Sequence, residues 1–281
     1  MLRQQQSDKH FGGQKRGNVS PFHKDTLPYF CQVINGISTI RQNFVHAGRN
    51  VACYGRAWER AEVMRKTILD DGFQSYLTEG AVLVGEPGIP MLMDMQNVQI
   101  PKGIIPFSKA RSCKDKRQFV HFYEHDREFS RVMTATTKYL PLLQEYDGII
   151  TPDCTMMINQ APCLQQTNTY FNRAIGYYCQ RNGIPVIVNI RWSDESSFPY
   201  CFLGAPKGSI VAVSTHGCLR SREQKSMFNR GMHAMLDAIE PKAVLVHGYM
   251  PDDVFGEFHG QVDMYRYPSL FELTHLKKGG A

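Results

Sequence analysis

The sequence predicts an α/β fold built on a mainly parallel sheet. From residue 119 onward, apolar strand-like segments alternate with helix-like segments, a pattern typical of right-handed crossovers between parallel strands. The segments 184–190 and 209–213 are apolar on both faces, as strands covered by helices on both sides must be. We expect a barrel-like sheet, TIM-like or a partial barrel. An open doubly wound sheet shares the same pattern and is the alternative.

The elements before residue 119 are short. The spacing of Ala, Met and Ile side chains predicts a helix over 56–70, which ends before a glycine. A short apolar strand is predicted at 81–85, with brief extended pieces near 90–94 and 103–107. Proline and glycine recur in this region, so longer strands are not expected there.

The elements after residue 119 are regular. Strands are predicted where apolar runs end in polar residues, at 119–126, 147–153, 184–192, 209–217 and 243–249, and a further strand at 262–267. Helices are predicted over 127–140, 162–182 and 222–240. Pro141 should interrupt the first, Pro162 and Gly183 should bound the second, and Ser221 with Gln224 fits a capping box for the third.

The composition is that of a globular chain. Hydrophobic residues make up 42% of the 281 residues and charged residues 21%, which excludes a chain disordered throughout. No apolar run reaches ~18 residues and the N-terminus lacks the apolar core of a secretory signal, so we expect a soluble, cytoplasmic protein without membrane contact. The eight cysteines include no C-x-x-C pair, which agrees with that compartment.

Positive charge is concentrated near the N-terminus. Residues 1–50 hold seven Lys/Arg against two Asp/Glu, so most of the formal net charge of +6 lies there. We interpret 1–50 as a basic, partly flexible arm and 51–281 as a single α/β domain. Binding of the arm to DNA or RNA would release counterions from phosphates. The candidate contacts are Lys9, Lys15, Arg16 and Lys24. A solvated tail that only aids solubility would have the same composition.

Polar residues follow every strand of the regular region, and parallel α/β proteins place their active sites at this edge. Asp153 ends one strand, and Asp194 with Glu195 follows the next. On neighbouring strands, ~4.8 Å apart, these carboxylates could meet, either for acid/base catalysis or to hold Mg²⁺. Alternatively, Asp194 is a turn residue and Asp153 caps a loop. Arg191 is a candidate anion ligand and His216 a candidate proton carrier.

Two amides on the predicted helix 162–182 are further candidates. Its buried stripe is expected to contain Leu164, Phe171, Ile175 and Tyr178, with Asn168 inside the stripe and Asn172 at its edge. Because a buried amide needs hydrogen-bond partners, these side chains should either tie down a loop or reach the strand-end pocket. Arg173 is expected on the opposite face, exposed or paired.

Aromatic and histidine side chains complete the candidate set. Trp192, Tyr200 and Phe202 could stack a base or a sugar, or could form a small core of their own. A metal pair of His121 and His125 is disfavoured, because four residues of a strand span ~13 Å whereas ligands of one ion lie within about 4 Å. His121 is therefore expected to lie in the core or to line a cavity.

Several segments resemble the domain of unknown function family 4417 of bacteriophages and bacterial mobile elements. They include IITPDCTM, NTYFNRAIGYYCQRNGIPVIVNIRW and SFPYCFLGAPKGSIVAVSTHGC, and the resemblance covers roughly residues 100–250. It implies a protein that acts inside a bacterial host, but no particular reaction. The positions that match the family's signature are Asp153, Asn168, Asn172, Arg173, Arg191, Trp192, Phe202, Gly204 and Gly217.

Three functions agree with these observations. The first is a hydrolase or transferase that acts on nucleotides, nucleic acid or a glycosidic bond in a strand-end pocket. The second is a non-catalytic nucleic-acid-binding protein, for example in replication. The third is a protein that captures a host factor or a signalling nucleotide. The sequence lacks the two standard phosphate-binding glycine loops, G-x-x-x-x-G-K-[ST] and G-x-G-x-x-G.

Overall fold

A curled, seven-stranded parallel sheet is the centre of the structure. The computed structural model describes residues 74–95 and 98–278. A small antiparallel ribbon of β1 (Leu83–Val84) and β2 (Ile89–Pro90) precedes the sheet. The seven strands lie side by side in chain order: β3 (Ile104–Pro106), β4 (Phe119–His121), β5 (Gly148–Ile150), β6 (Val186–Asn189), β7 (Ile210–Ser214), β8 (Ala243–His247) and β9 (Asp263–Tyr267).

The sheet curls into a half-barrel. The ring of Tyr123, just after β4, stacks on the ring of His247 at the end of β8, with centroids 4.3 Å apart. Three strands separate β4 from β8, and in a flat sheet this would place them ~19 Å apart. The hydroxyl of Tyr267 in β9 also donates to the carbonyl of Pro101, before β3, at 2.6 Å. The predicted partial barrel is confirmed, and the strand order lacks the reversal of a doubly wound sheet.

Both faces of the central strands are apolar, as predicted. Every residue of β5, β6, β7 and β8 is buried. The inner face of the curl carries a compact cluster that includes Phe119, Ile150, Ile187, Ala212 and Leu245. The outer face joins the larger core under the helices through Val120, Ile149, Val188, Val213 and Val246. Strand β9, at the edge, is largely exposed.

Eight α-helices occur in the described residues. They are α1 (Phe107–Ala110), α2 (Asp126–Thr134), α3 (Thr136–Leu143), α4 (Pro162–Arg181), α5 (Phe198–Cys201), α6 (Arg222–Ile239), α7 (Asp252–Phe255) and α8 (Leu270–Lys278). The predicted boundaries of α4 and α6 are close to those observed. Ser221 caps α6 by accepting the backbone N–H of Gln224 at 3.2 Å. None of the helices within these residues is long and apolar enough to span a membrane.

The helix predicted over 127–140 is divided in two. The break lies at Ala135, where φ is −148°, and Pro141 lies inside α3 rather than after it. The hydroxyl of Thr136 donates to the carbonyl of Val132 at 2.7 Å, which satisfies a group that the break would otherwise expose. The prediction that Pro141 ends the helix is therefore wrong by about one turn.

The buried face of α4 also differs from the prediction. Ile175 is buried, as predicted, but Leu164 is 52% exposed, and Phe171 and Tyr178 are only half-buried. The buried face instead carries mostly polar or small side chains: Gln165, Thr169, Asn172, Arg173, Gly176, Cys179 and Gln180. Hydropathy misplaced the face because the long polar side chains of Gln165, Arg173 and Gln180 are buried through hydrogen bonds to carbonyls outside the helix. The basic arm and the helix predicted at 56–70 lie outside the described residues.

Candidate functional site

A cavity of about 340 Å³ lies at the carboxyl ends of β6 and β7. Its walls come from the residues after these two strands, from the start of α6 and from the loop 156–158. Most of the wall is apolar, and Arg191 and Glu223 carry its charges. The residues that line the cavity include Met156, Arg191, Trp192, Ser214, Glu223 and Phe228.

One hydrogen-bond donor of Arg191, the Nε–H group, is unpaired within the described residues. Its Nε is buried and has no hydrogen-bond partner among the described residues. Its Nη1 lies 3.5 Å from Oδ2 of Asp153, longer than the ~2.7–2.9 Å of a charge-assisted bond. The Asp153 carboxylate raises the pKa of Arg191, so the guanidinium is a permanent positive charge in the cavity wall.

A chain of hydrogen bonds holds Asp153 in place. Its Oδ1 accepts the side-chain amide of Asn189 at 2.8 Å, and Oδ1 of Asn189 accepts the hydroxyl of Tyr123 at 3.0 Å. Burial, followed by the charge of Asp153, raises the pKa of Tyr123 well above its usual value, so the phenol remains a donor. Asp153 therefore lies in a fixed position between the barrel interior and Arg191.

Asn172 joins the ends of β5 and β6 beneath Asp153. Its Nδ2 donates to the carbonyls of Pro152 at 2.7 Å and Asn189 at 3.1 Å. Its Oδ1 accepts the hydroxyl of Thr151 at 2.9 Å and the guanidinium of Arg173. All of its hydrogen-bonding groups are occupied within the protein, so Asn172 ties the ends of β5 and β6 together.

Arg173 is buried, contrary to the expectation that it is exposed or paired. The residue is 1% exposed, and besides Asn172 it donates to the carbonyls of Asn189, Cys201 and Leu203. Burial lowers its pKa to about 10. Arg173 connects α4 to β6 and to the segment after α5, because one guanidinium reaches acceptors on all of them.

Asn168 ties down a loop, which was one of the two predicted roles. Its Nδ2 donates to the carbonyl of Thr155 at 2.6 Å. The same loop is held by Asp126, whose carboxylate accepts the backbone N–H of Thr155 at 3.2 Å and its hydroxyl at 2.7 Å. Asn168 thus fixes the loop that continues into the cavity wall at Met156.

The carboxylates that were expected to pair have separate partners. Asp194 accepts the backbone N–H of Ser196 at 3.1 Å and caps a short 3-10 helix (Glu195–Ser197). Glu195 forms an exposed ion pair with Arg230 of α6. The structure therefore brings Asp153 to Arg191 and Asn189, whereas Asp194 has the predicted alternative role of a turn residue. Within the described residues, no group of three or more His, Cys, Asp or Glu side chains is arranged to hold a metal ion such as Mg²⁺.

The aromatic residues are divided between the cavity and a small core. Trp192 lines the cavity and packs on Phe228 at a centroid distance of 5.2 Å. Phe202 lies behind Trp192 at 6.3 Å, and the hydroxyl of Tyr200 donates to Gln165 at 2.7 Å. Trp192 is thus the aromatic candidate that faces the cavity, and Tyr200 and Phe202 support it from the core.

Histidines and a serine cluster beside the cavity, inside the carboxyl end of the barrel. His121 and His247 are both buried, with ring centroids 5.0 Å apart, and Oγ of Ser214 lies 3.1 Å from Nδ1 of His247. His121 thus lines the barrel interior, as expected. His216 is exposed, and its backbone N–H donates to Oγ of Ser214 at 3.3 Å.

Sequence reasoning did not select Ser214, His247, Tyr123 or Asn189 as site residues. Ser214 and His247 each end a buried apolar strand, and that position was the available signal. Their contact depends on the pairing of β7 with β8, where Ser214 and His247 are register partners. Strand pairing cannot be read from the sequence.

Comparisons with known proteins place the chain in a phage family. The family model described as "Domain of unknown function (DUF4417)" matches residues 82–267. The chain is 30% identical over 131 residues to the "Gene 1 protein" of Mycobacterium phage L5, covering 47% of this chain and 57% of that protein. It is 30% identical over 129 residues to the "Gene 1 protein" of Mycobacterium phage D29, covering 46% and 48%.

The matched region therefore spans about half the length of these two phage proteins. No solved structure matches the chain. The family match extends from the first short ribbon to the last strand of the half-barrel, and it contains the cavity with both of its charged residues. The chain belongs to the family of domains of unknown function DUF4417.

Proposed function

We propose that this protein binds a phosphate-bearing small molecule of the nucleotide class in the Arg191 cavity and acts on it as a hydrolase or transferase. The observation that carries the proposal is the buried Nε of Arg191, which has no partner among the described residues. An unpaired buried donor costs ~1–3 kcal/mol. A phosphate oxygen in the cavity would remove that cost and would match the fork of the guanidinium.

The rest of the cavity fits the organic part of such a ligand. Its volume of about 340 Å³ lies within the usual range of small-molecule pockets, ~300–1,000 Å³. Trp192, Phe228 and Met156 supply an apolar wall on which a base can pack. Glu223 is exposed at the rim, where its carboxylate would accept hydrogen bonds from sugar hydroxyls.

Phosphate chemistry is favoured over cleavage of a glycosidic bond. Most glycosidases need two carboxylates that flank one bond, whereas Asp153, Asp194 and Glu195 each have their own partners here. Asp153 has no catalytic role in our proposal. Its carboxylate lies 3.5 Å from the Arg191 guanidinium and would repel the phosphate.

Calorimetric titration with the four nucleoside 5′-monophosphates tests the proposal. At least one should bind, and the matching nucleoside and inorganic phosphate should each bind more weakly. Arg191→Gln should weaken binding ~10-fold or more, because it removes charged hydrogen bonds. Arg117→Gln is the matched control, since its side chain is 83% exposed and precedes β4, at the opposite end of the sheet.

Two results would contradict the proposal. Binding that is equally strong in Arg191→Gln and Arg117→Gln would show that the guanidinium does not hold the phosphate. Failure of all four nucleotides to bind at millimolar concentration would exclude the nucleotide class.

A second candidate function, contact with DNA or RNA through the N-terminal arm, rests on the charge of residues 1–50. Deletion of residues 1–28 should weaken nucleic-acid binding and flatten its salt dependence. Each lost phosphate contact lowers the log–log slope by ~0.9 on duplex DNA. Unchanged binding at low salt would remove this candidate.

A further inference from the structure

The last residues of β7 and β8 form a hydrogen-bonded pair beside the cavity. Ser214 and His247 are register partners, and the Oγ of Ser214 lies 3.1 Å from Nδ1 of His247. Both residues are 5% exposed or less. Ser214 nevertheless forms part of the cavity wall, as Arg191 does. A hydroxyl bonded to an imidazole and the residue with the unpaired guanidinium nitrogen therefore line the same cavity.

The hydroxyl of Ser214 donates in this pair when the imidazole carries its hydrogen on Nε2, because Nδ1 is then an acceptor. The backbone N–H of His216 donates to Oγ of Ser214 at 3.3 Å, which leaves the hydroxyl hydrogen free for Nδ1 of His247. Tyr123 stacks on the His247 ring at 4.3 Å with an angle of 13° between the planes, which fixes the orientation of the imidazole.

The imidazole is uncharged at neutral pH. Burial, followed by the charge of His216, lowers the pKa of His247 to about 4, and Glu272 of α8 acts in the opposite direction. The other titratable groups beside the ring are Tyr123 and His121, and burial also lowers the pKa of His121. A phosphate held at Arg191 would add negative charge near His247, and this would make the imidazole a stronger base.

We propose that Ser214 is a nucleophile and His247 its general base for phosphoryl transfer from a nucleotide-class phosphate ester held by Arg191. The inference rests on the proposed function, because it uses the same cavity. A serine hydroxyl within hydrogen-bond reach of a histidine is the usual arrangement of an activated oxygen nucleophile. Arg191 would stabilise the charge that develops on the phosphoryl oxygens.

The step balances with water as the second substrate. The Oγ of Ser214 forms a bond to phosphorus while the bond from phosphorus to the leaving oxygen breaks. The hydroxyl proton passes to Nδ1 of His247 and then to the leaving oxygen. Water, deprotonated by the same imidazole, then attacks the phosphoserine. The bond from phosphorus to Oγ breaks, phosphate leaves, and the imidazole returns its proton to Oγ of Ser214. A second alcohol in place of water would make the reaction a transfer.

Covalent labelling of the full chain with a small alkyl fluorophosphonate tests the assignment. The reagent forms an Oγ–P bond and loses fluoride, and peptide mass spectrometry locates the adduct. We expect the adduct on Ser214, slower labelling in the presence of the nucleotide that binds, and a labelling rate ~10²-fold lower in His247→Gln. The matched controls are Ser209→Ala, just before β7, and His233→Gln on the exposed face of α6, and both should label normally.

The outcomes separate this inference from the proposed function. Absence of an adduct on Ser214 overturns the assignment of Ser214 as the nucleophile, even where Arg191-dependent nucleotide binding persists. Labelling of a folded His247→Gln variant at the normal rate overturns the assignment in the same way. An adduct on Ser214 in a protein that binds no nucleotide supports the nucleophile and overturns the nucleotide class. Ser214→Ala should keep nucleotide binding within a few-fold, and loss of binding in a folded Ser214→Ala variant would instead assign Ser214 to ligand binding.

Discussion

Asp153 faces Arg191 at 3.5 Å, while its other carboxylate oxygen accepts a 2.8 Å hydrogen bond from Asn189. The side chains of Asp153 and Arg191 are 13% and 22% exposed. The carboxylate is thus held firmly on one side and only loosely by the guanidinium on the other. In the proposed function, an incoming phosphate would bond to Arg191 without displacing Asp153 from its stronger partner.

Replacement of Asp153 with Asn should tighten nucleotide binding. The amide keeps the shape of the side chain and removes a negative charge that repels phosphate. We expect a roughly three- to ten-fold lower Kd at low salt, since a charge a few ångströms away is worth ~1 kcal/mol or more. Calorimetry measures the effect. Weaker binding in a folded Asp153→Asn variant would show that orientation of Arg191 outweighs repulsion.

Replacement of Arg173 with Met should destabilise the fold. It removes the guanidinium that donates to the buried carbonyls of Cys201 and Leu203, while the carbonyl of Asn189 keeps only its bond from Asn172. We therefore expect a loss of about 3 kcal/mol in the free energy of unfolding. Arg181→Met, at the end of the same helix, removes a partly exposed pair with Glu79 and a long, exposed hydrogen bond to the carbonyl of Tyr76, and it should cost ~1 kcal/mol or less. Urea denaturation compares the two. Equal stability of both variants would mean that burying the Arg173 charge costs as much as its hydrogen bonds contribute.

The positions of Arg191 and Arg173 also show what the sequence could predict. Arg191 follows an unbroken apolar strand, so its place at the carboxyl edge of the sheet followed from strand boundaries alone. Arg173 lies on a helix whose apolar residues suggest a different buried face. Its burial depends on carbonyls more than fifteen residues away along the chain, and helical periodicity contains no information about such partners.

The carboxyl-edge site was predictable only in part for the same reason. Because β5 and β6 are adjacent, Asp153 and Asp194 were candidates for a carboxylate pair. In the structure, the local turn instead gives Asp194 the backbone N–H of Ser196 as its partner. The pair of Ser214 and His247 depends on strand register. The strand-end position indicated that these residues belong to the edge, whereas their partners had to be seen in the structure.

Stability should fall as the pH drops below neutrality. The pKa of His247 is about 4 in the folded protein and near 6.5 when unfolded, so the unfolded state binds the proton first. The contribution of the uncharged His247 to the free energy of unfolding is fully present above pH 6.5 and is lost as the pH falls toward 4. Between pH 7 and pH 5 we expect a loss of about 2 kcal/mol from this group. His121, whose pKa is lowered in the same way, adds to it.

Urea denaturation at pH 7, 6 and 5 measures this dependence. His247→Gln should reduce the slope, because the substituted side chain does not titrate. His233→Gln is the control, since His233 is exposed and pairs with Glu257. A slope that is unchanged in His247→Gln would contradict a buried, neutral imidazole at this position.

Replacement of Gly231 with Ala should disturb the cavity through Trp192. A Cβ at Gly231 would lie 2.1 Å from Nε1 of Trp192, so the indole must move out of the wall that it forms. We expect a loss of ~1–3 kcal/mol in stability, as for other overpacked sites, together with altered tryptophan fluorescence and weaker nucleotide binding. Gly256→Ala, with no atom within 4 Å of its Cβ, is the control and should change none of these. Unaltered fluorescence of Gly231→Ala would show that the indole does not pack there.

The Nε–H of Arg191 itself gives the most direct test of phosphate capture. In a ¹H–¹⁵N spectrum of the side-chain region, its resonance is assigned by its absence in Arg191→Gln. Because Nε has no hydrogen-bond partner among the described residues, a saturating nucleoside monophosphate should shift this resonance downfield and slow its exchange with water. The Nε–H resonance of Arg117 should stay in place. An Arg191 resonance that is unmoved at saturation would contradict the binding of phosphate by Arg191.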